Sequence, residues 1–319
     1  MLYSVQIGRK HSDNEGVGAP FVIAIFGPTA SGKTAVAEEV ARRIPSELVS
    51  ADSMQAYKGL PVLTNQPVTP TKLVGIWALD HEGSVAEYAD LAHRAVDEAF
   101  AADRTPIVVG GTGLYLRAAL AELDVPPPPE PEQRRRWEEH YDRVGPERAH
   151  TDLAERDPDA AAAVHPNDRR RVVRALELAE LGHTLRPERD SLWTEETRHP
   201  TAVFGLEVPR ELLDLRIEER TRAMFEAGVE NEVRKALARP LSATARQMMG
   251  LTEVAELPRE EAIVAIAERT RAYASYQRKW MRRIPGLVSL DADRPPGEVA
   301  DAILEVARSR QRLPAGDAG

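Results

Sequence analysis

Short apolar runs alternate with amphipathic stretches in the first part of the chain. Residues 21–26 form a continuous apolar run, as expected of a strand buried on both faces, and residues 47–51 and 106–109 predict two further strands. A helical pattern over residues 33–43 follows the first run, and the Ser-x-x-Glu spacing at 84–87 is that of a capping box opening another helix. This alternation of strands and helices predicts an α/β fold with a parallel sheet flanked by helices.

The composition changes where prolines crowd into residues 125–131, which predicts a stiff linker. The following stretch is charged and helical in pattern, without a clear strand, until residues 201–208 restore one. Periodicity then predicts long helices over 211–238 and 259–284. The predicted organisation is a flexible leader at 1–18, a core at 19–122 and 200–310, a helical insertion domain at 123–199, and a frayed tail at 311–319.

Composition excludes several classes of protein. The 319 residues contain no cysteine, which rules out disulfides, thiolate zinc sites and cysteine nucleophiles. The net charge of −9 excludes a wholly basic nucleic-acid coat, although a local basic face remains compatible with it. No apolar run approaches 18 residues and the first residues lack a secretory pattern, so we expect no membrane span and a cytoplasmic protein.

Residues 27–34 match the phosphate-loop pattern G-x-x-x-x-G-K-[ST], with a buried strand before it and a helix after it. The glycines let the backbone N–H groups point at phosphate oxygens, and the start of the helix adds partial positive charge. Lys33 supplies a point charge, and the Thr34 hydroxyl is placed to bind Mg²⁺. The pattern therefore predicts a site for a diphosphate or triphosphate, formed by Gly27, Pro28, Thr29, Ala30, Ser31, Gly32, Lys33 and Thr34.

Two more polar segments follow predicted strands and should meet the phosphate loop at the carboxyl edge of the sheet. Asp52 follows the second strand, and on position alone it could bind Mg²⁺, cap a helix or act as a base. Residues 110–113 read Gly-Gly-Thr-Gly, which is either a tight turn or a loop that lets a substrate approach the backbone, with the Thr112 hydroxyl as a hydrogen-bonding group. The sequence lacks both an Asn-Lys-x-Asp motif and an apolar run ending in Asp-Glu, which weakens an ATPase motor interpretation.

Taken together, these motifs resemble those of the bacterial tRNA dimethylallyltransferases. The resemblance implies a P-loop NTPase-like fold and transfer of a dimethylallyl group from its diphosphate to N6 of the adenosine 3′ of the anticodon, position 37. Any motif after the first is weak by itself, but together they run in order from about residue 20 to 290. They are the segments 27–34, 51–59, 109–115, 165–168, 174–177 and 216–220, followed by Thr270, Arg271, Gln277 and Trp280.

The resemblance also implies roles for individual residues. Asp52 would be the general base on the N6 amine, and Lys33 and Thr34 would bind diphosphate and Mg²⁺. Arg220 would neutralise the leaving diphosphate, and Thr112 would contact the substrate backbone or the target base. The implied tRNA-binding residues are Asp52, Ser53, Met54, Gln55, Thr112, Arg134, Arg170, Arg171, Val172, Val173 and Arg174, of which the last six lie in the insertion and would touch the anticodon stem-loop.

The chain departs from the family pattern at a few positions. Residues 74–81 stand where paired histidines are usual, Leu251 replaces a tyrosine, and Tyr276 replaces a basic residue. These departures concern RNA contacts more than the prenyl-transfer chemistry. Without the resemblance, the basic segments are more typical of solvated faces paired with glutamates than of an RNA-binding surface.

Several functions remain open from the sequence. The leading one is a monomeric, Mg²⁺-dependent enzyme whose partners are dimethylallyl diphosphate and the tRNA anticodon stem-loop. The alternatives are an isopentenyltransferase acting on free adenine nucleotides, a P-loop small-molecule kinase, and a non-enzymatic nucleotide-dependent RNA-binding module. The basic insertion disfavours the free-nucleotide alternative, since a nucleotide needs no RNA clamp.

Overall fold

The computed structural model of the chain describes residues 21–123, 126–127, 130–185, 192 and 194–311. The predicted leader and all of the predicted tail but its first residue lie outside the described residues. Among the residues that are described, no helix is long and apolar enough to cross a bilayer.

Five parallel strands form one sheet in the order β2-β3-β1-β4-β5, so that β1 lies at its centre. Ile25 of β1 pairs with Val109 on one side and Phe204 on the other. This confirms the predicted α/β class with a parallel sheet. The strands are β1 (Val22–Phe26), β2 (Ser46–Ser50), β3 (Thr105–Gly110), β4 (Thr201–Glu207) and β5 (Val288–Asp291).

Helices cover both faces of the sheet, and alternate residues of β1 face the two layers. Val22, Ala24 and Phe26 belong to a cluster that includes α2, α3, α9 and α10, while Ile23 and Ile25 pack with α1 and α12 on the other face. The helices are α1 (Lys33–Arg43), α2 (Val85–Ala101), α3 (Gly113–Leu120), α4 (Pro131–Val144), α5 (Pro146–Arg156), α6 (Pro158–Ala163), α7 (Arg169–Glu180), α8 (Arg210–Glu226), α9 (Val229–Leu237), α10 (Leu251–Glu256), α11 (Arg259–Met281) and α12 (Pro296–Gln311).

Helices α4 to α7 form a separate small core, as the charged helical pattern predicts. Its buried members include Tyr141, Leu153 and Leu176, and they form a hydrophobic cluster separate from the two that flank the sheet. This packing supports the interpretation of an insertion, whose bounds at 123 and 199 stay a prediction.

Two predicted helices differ in detail. The helix predicted over 211–238 is wrong as a single element, because Gly228 adopts a left-handed φ of +85° and separates α8 from α9. At the start of α2, the Ser84 hydroxyl accepts a hydrogen bond from the Glu87 amide, as predicted. The Glu87 carboxylate, however, accepts from Trp77 Nε1 at 3.1 Å and lies 2.8 Å from His81 Nε2, instead of closing the capping box.

Candidate active site

The phosphate loop, the segment after β2 and helix α8 line a cavity of about 540 Å³ at the carboxyl ends of the strands. Ligands of open α/β sheets bind in this position. The chain folds so that residues far apart in sequence converge there. The predicted site residues that line it are Thr29, Ala30, Gly32, Lys33, Thr34, Asp52, Gln55 and Arg220.

The backbone of residues 27–34 takes the curled form that its motif predicts. Gly32 has a φ of +87° and Ala30 a φ of +65°, a left-handed conformation that costs a non-glycine residue roughly 1–2 kcal/mol. A Cβ at Gly27 would lie 2.7 Å from Ser31 Oγ and 3.2 Å from Leu206 Cβ, so a side chain there would force these neighbours to shift. The loop ends where α1 begins at Lys33, which gives the helix N-terminus that favours a bound phosphate.

Lys33 turns its ammonium back across the phosphate loop, where Nζ donates a hydrogen bond to Pro28 O at 2.8 Å. Burial disfavours the charged ammonium and lowers the pKa of Lys33 to about 8. The negative charge of Asp52 opposes this shift, and the positive charge of Arg220 adds to it. A diphosphate in the loop would favour the charged form of Lys33.

The charge of Asp52 acts on several titratable groups in and around the cavity. Its Oδ1 accepts a hydrogen bond from the Met54 amide at 3.0 Å, which fixes the turn after β2. Burial lowers the pKa of Arg220, and the charge of Asp52 partly offsets that shift. The charge of Asp52 also acts on Lys33, Tyr88, Tyr115 and Tyr273, which come from four different elements. The cavity therefore combines a carboxylate with two cations beside the phosphate loop.

The three residues after Asp52 are half-buried, and of these only Gln55 lines the described cavity. Gln55 Oε1 accepts from Ser50 Oγ at 2.9 Å, and its Nε2 donates to Asn65 O at 2.9 Å. Met54 packs against the core. That Ser53, Met54 and Gln55 form an adenine pocket stays a prediction.

Three tyrosines lie near Asp52, and the sequence pattern assigns none of them a role in the site. Tyr88 donates to Ser50 O at 2.8 Å, and its ring centroid lies 4.5 Å from that of Tyr115. Tyr273 OH lies 3.5 Å from Thr112 Oγ1. Burial raises the pKa of all three phenols, that of Tyr273 to about 12, so they stay neutral. Periodicity places Tyr88 and Tyr273 on core stripes, and it cannot distinguish a core tyrosine from one beside a carboxylate.

The loop after β3 passes close to its neighbours, which explains its glycines. A Cβ at Gly110 would lie 2.1 Å from Ala51 O, and a Cβ at Gly113 would lie 2.1 Å from the Trp280 ring. Thr112 begins α3 without using its hydroxyl as a cap. The hydroxyl therefore stays beside Tyr273, at the edge of the region that Asp52 influences.

Thr34, the predicted metal ligand, lines the cavity together with Asp52. Within the described ranges, no group of three or more histidine, aspartate or glutamate side chains is arranged to hold a metal ion. Mg²⁺ is usually held by one or two protein oxygens while substrate phosphates and waters complete its octahedron. The Thr34 hydroxyl and the Asp52 carboxylate are oxygens of this kind.

The insertion holds some of its predicted tRNA-binding residues in internal contacts. Val172 and Val173 are 0% and 2% exposed, and their side chains pack in the insertion core, so their contact with tRNA stays a prediction. Arg134 and Arg174 both pair with Glu177, at 2.7 and 3.0 Å. Arg174 also donates to Pro127 O in the proline linker. Both arginines are thus engaged within the insertion.

Arg170 and Arg171 remain exposed on the first turn of α7. The Asp168 carboxylate caps this helix by accepting from the Arg171 amide, as its position predicts. The charge of Arg170 lowers the pKa of Tyr115, against the larger effect of burial. Arg170 therefore lies near enough to influence Tyr115, on which the charge of Asp52 also acts.

Comparison with known proteins points to one family. The IPP transferase family model matches residues 55–284, and the isopentenyl transferase model matches residues 20–77, which include the phosphate loop. The chain is 39% identical to the tRNA dimethylallyltransferase of Corynebacterium jeikeium, over 86% of this chain and 92% of that protein. It is 40% identical to the tRNA dimethylallyltransferase of Anaeromyxobacter dehalogenans, over 84% of this chain and 93% of that protein.

Solved structures agree with this assignment. The tRNA isopentenylpyrophosphate transferase of Bacillus halodurans is 30% identical and superposes with a TM-score of 0.66, over 92% of this chain and 99% of that chain. A eukaryotic dimethylallyltransferase, 24% identical over 93% of this chain and 81% of that chain, shares the fold with a TM-score of 0.75. The matched segments, the P-loop NTPase-like sheet and the cavity with Asp52 lead to one conclusion: the chain belongs to the IPP transferase family of prenyl-transferring enzymes.

Proposed function

We propose that this enzyme transfers the dimethylallyl group of dimethylallyl diphosphate to N6 of the adenosine 3′ of the anticodon, position 37, in tRNA. The product is N6-(dimethylallyl)adenosine. The observation that carries the proposal is the Asp52 carboxylate in one cavity with Lys33, Arg220 and the phosphate loop. A base beside a diphosphate site suits alkylation of a weakly nucleophilic amine. Relatives named tRNA dimethylallyltransferase support the choice of acceptor.

The reaction needs a proton acceptor and a stabilised leaving group. The N6 lone pair attacks C1 of the dimethylallyl group, and the bond from C1 to the diphosphate oxygen breaks. The diphosphate leaves with the bonding electrons, while the amine proton passes to Asp52. A positioned general base typically contributes ~10²–10⁴-fold to the rate. Lys33, Arg220 and the N–H groups of the phosphate loop stabilise the growing negative charge.

Mg²⁺ is the proposed cofactor, held by Thr34 and by oxygens of the diphosphate. When bound, the ion supplies Lewis-acid stabilisation of the leaving diphosphate. The proposal rests on the phosphate-loop position of Thr34, which lines the cavity.

The anticodon stem-loop is the proposed RNA partner, and Arg170 and Arg171 are its proposed phosphate contacts. Both guanidinium groups are exposed at the start of α7, and arginine commonly contacts the phosphate backbone. The target base must leave its stack to reach Asp52, which costs a few kcal/mol and is easier in a loop. A monomeric state and a cytoplasmic location stay predictions.

One incubation tests the proposed activity. The protein is mixed with Mg²⁺ and labelled dimethylallyl diphosphate, and tRNA, tRNA with guanosine at position 37, or AMP is offered as acceptor. Nuclease digestion should recover the label as N6-(dimethylallyl)adenosine from the first tRNA alone. Label on AMP and none on tRNA would instead indicate a free-nucleotide transferase. Phosphate transfer from ATP in a parallel reaction would indicate a kinase, and RNA binding without any transfer would indicate a binding module.

A further inference from the structure

The side-chain amide of Gln277 joins two loops that come from opposite ends of the sequence. Gln277 lies on α11 and is 2% exposed. Its Oε1 accepts a hydrogen bond from the Thr29 amide in the phosphate loop at 2.8 Å, and its Nε2 donates to Gly111 O in the loop after β3 at 2.8 Å. One partner is a donor and the other an acceptor, so both bonds require an amide in this orientation.

Neighbouring residues on the same face of α11 hold the rest of the loop after β3. Tyr273 OH lies 3.5 Å from Thr112 Oγ1, and the Trp280 ring fills the space beside Gly113. Residues at i, i+4 and i+7 share one helix face, which explains why these three reach consecutive loop residues. Of the three, Gln277 also contacts the phosphate loop.

The bond to Thr29 bears on a strained part of the phosphate loop. The next residue, Ala30, adopts a φ of +65°, which persists only where surrounding contacts hold it. The Gln277 oxygen accepts from the N–H of Thr29, the residue directly before Ala30, and so fixes the backbone at that point. A backbone N–H or C=O that is shielded from water and left without a partner destabilises the fold, so both loops are tied to the amide.

We propose that Gln277 is a positioning residue that couples the diphosphate loop to the loop after β3, which carries Thr112. The inference rests on the proposed function, which places the diphosphate in residues 27–34, and on the implied contact of Thr112 with the substrate backbone or the target base. Reacting atoms must meet at close range and in line, and small displacements are expensive in rate. A ligand that orders one loop should therefore favour the ordered form of the other, in both directions.

Three variants test the coupling from both sides. Gln277→Met removes both bonds at similar side-chain length. Gln277→Glu keeps the oxygen that accepts from Thr29 and places a second oxygen against Gly111 O. Gly111→Ala would put a Cβ 2.3 Å from Gln277 Nε2 and 3.0 Å from Gly27 O, so it displaces the amide without changing it. Gln133→Met is the matched control, because among the described residues the Gln133 amide bonds to Glu177 and Glu180 of the insertion.

The readouts are the Kd of inorganic pyrophosphate with Mg²⁺, with and without saturating tRNA, and the single-turnover transfer rate of the saturated complex. In the wild type and the control, tRNA should tighten pyrophosphate binding. In all three variants, the ratio of the pyrophosphate Kd without tRNA to the Kd with tRNA should fall to about 1. The transfer rate should fall by about 10²-fold. Gln277→Glu should bind pyrophosphate alone almost as well as the wild type.

The coupling would be overturned if tRNA tightened pyrophosphate binding in Gln277→Glu or Gly111→Ala as much as in the wild type. It would also be overturned if tRNA left the pyrophosphate Kd of the wild type unchanged. Transfer at the wild-type rate from the saturated complexes would overturn it as well. Failure of the wild type itself to modify tRNA would instead refute the proposed function, and the two results are distinguishable.

Discussion

Lys33 lies in a cavity that disfavours its charge until an anion enters. Burial lowers its pKa to about 8, and the nearby Arg220 adds to the shift while Asp52 opposes it. In the unfolded chain Lys33 keeps its proton up to its ordinary pKa of 10.5. Between about pH 8 and pH 10.5, the native state therefore binds fewer protons than the unfolded state. This residue therefore costs stability at neutral pH, and the cost falls as the pH rises through that range. Diphosphate binding should recover the cost by restoring a partner for the ammonium.

Pyrophosphate affinity should consequently depend on the charge of Lys33. Below about pH 8 the ammonium is already charged, whereas above it each pH unit should weaken binding by up to tenfold, because binding must take up a proton. Calorimetry in two buffers of different ionisation enthalpy, from pH 7 to 9.5, measures this uptake. Lys33→Met should bind weakly and lack the extra pH dependence, while the titration of pyrophosphate itself affects both proteins equally. Identical pH profiles for the two proteins would contradict the assignment.

Arg220 should act on the leaving diphosphate. Removing one preorganised charge contact costs about 2.7–4 kcal/mol in comparable roles, so Arg220→Ala should lower the single-turnover rate of the saturated complex by ~10²–10³-fold. Arg210→Ala is a matched control on the same helix, since Arg210 is largely exposed and lies outside this cavity. An effect of Arg220→Ala on tRNA affinity alone would show that Arg220 is not a leaving-group contact.

At the residue scale, spacing predicts the phosphate loop because the chemistry dictates both glycines, the lysine and the threonine. Asp52 is predictable for a related reason, since it directly follows a strand whose end must face that loop. The role of Gln277 is not predictable from local pattern, because it depends on two backbone groups more than 160 residues away. The burial of Val172 and Val173 is predictable from their apolar character, whereas the RNA contact that the resemblance implies for them stays a prediction.

Helices α4 and α7 are joined by a buried carboxylate. The side chain of Glu177 has no exposed surface, and it accepts hydrogen bonds from Arg134 at 2.7 and 3.1 Å and from Arg174 at 3.0 Å. Arg174 also donates a hydrogen bond to the carbonyl oxygen of Pro127 in the linker. This network fixes α7, and with it Arg170 and Arg171, relative to the point where the insertion leaves the core.

Glu177→Gln should therefore destabilise the insertion. Removing one partner from a buried ion pair costs 3–5 kcal/mol, and we expect about 3 kcal/mol here because Arg134 is about one-third exposed. Glu180→Gln is the matched control, since Glu180 pairs with Arg136 at the exposed end of the same helix. Urea denaturation followed by the far-ultraviolet signal measures both changes. Equal losses in the two variants would contradict a structural role for the buried pair.

Strands and helices with a long apolar run or a clear periodicity are predictable from the sequence. Short elements, and breaks that a single glycine introduces, are not. The apolar run of β1 and the periodic α1 fall within a residue of their predicted bounds. The four-residue β5 is only half-buried and carries too short an alternation to be distinguished from a loop. Gly228 interrupts the predicted helix at 211–238 although the apolar periodicity continues past it, because glycine reaches the left-handed conformation at little cost.

The whole molecule carries a net charge of −9, yet its proposed partner is a polyanion. Local positive charge must therefore attract such a partner, and Arg170 and Arg171 are its proposed source. The charge of Arg170 also acts on Tyr115, one of the tyrosines near Asp52. Each phosphate contact contributes ~0.7–0.9 to the slope of log affinity against log salt.

Replacing both Arg170 and Arg171 with alanine should weaken tRNA binding and reduce the salt slope by up to about 2 units. Pyrophosphate affinity should change little, because its site belongs to the core. The control, Arg308→Ala with Arg310→Ala, removes the same charge from α12, which packs with α1. Filter binding from 50 to 500 mM salt gives both slopes. An unchanged slope in the α7 variant would show that these arginines are only a solvated face.

The central claim is that Asp52 removes the amine proton during prenyl transfer. The most direct test is the single-turnover rate of Asp52→Asn at saturating tRNA and dimethylallyl diphosphate, with the exposed α2 variant Asp90→Asn as control. Asparagine keeps the size and the bond to the Met54 amide but cannot accept the proton, so the rate should fall by ~10²-fold or more while pyrophosphate affinity stays largely intact. Transfer by Asp52→Asn at nearly the wild-type rate would contradict the account.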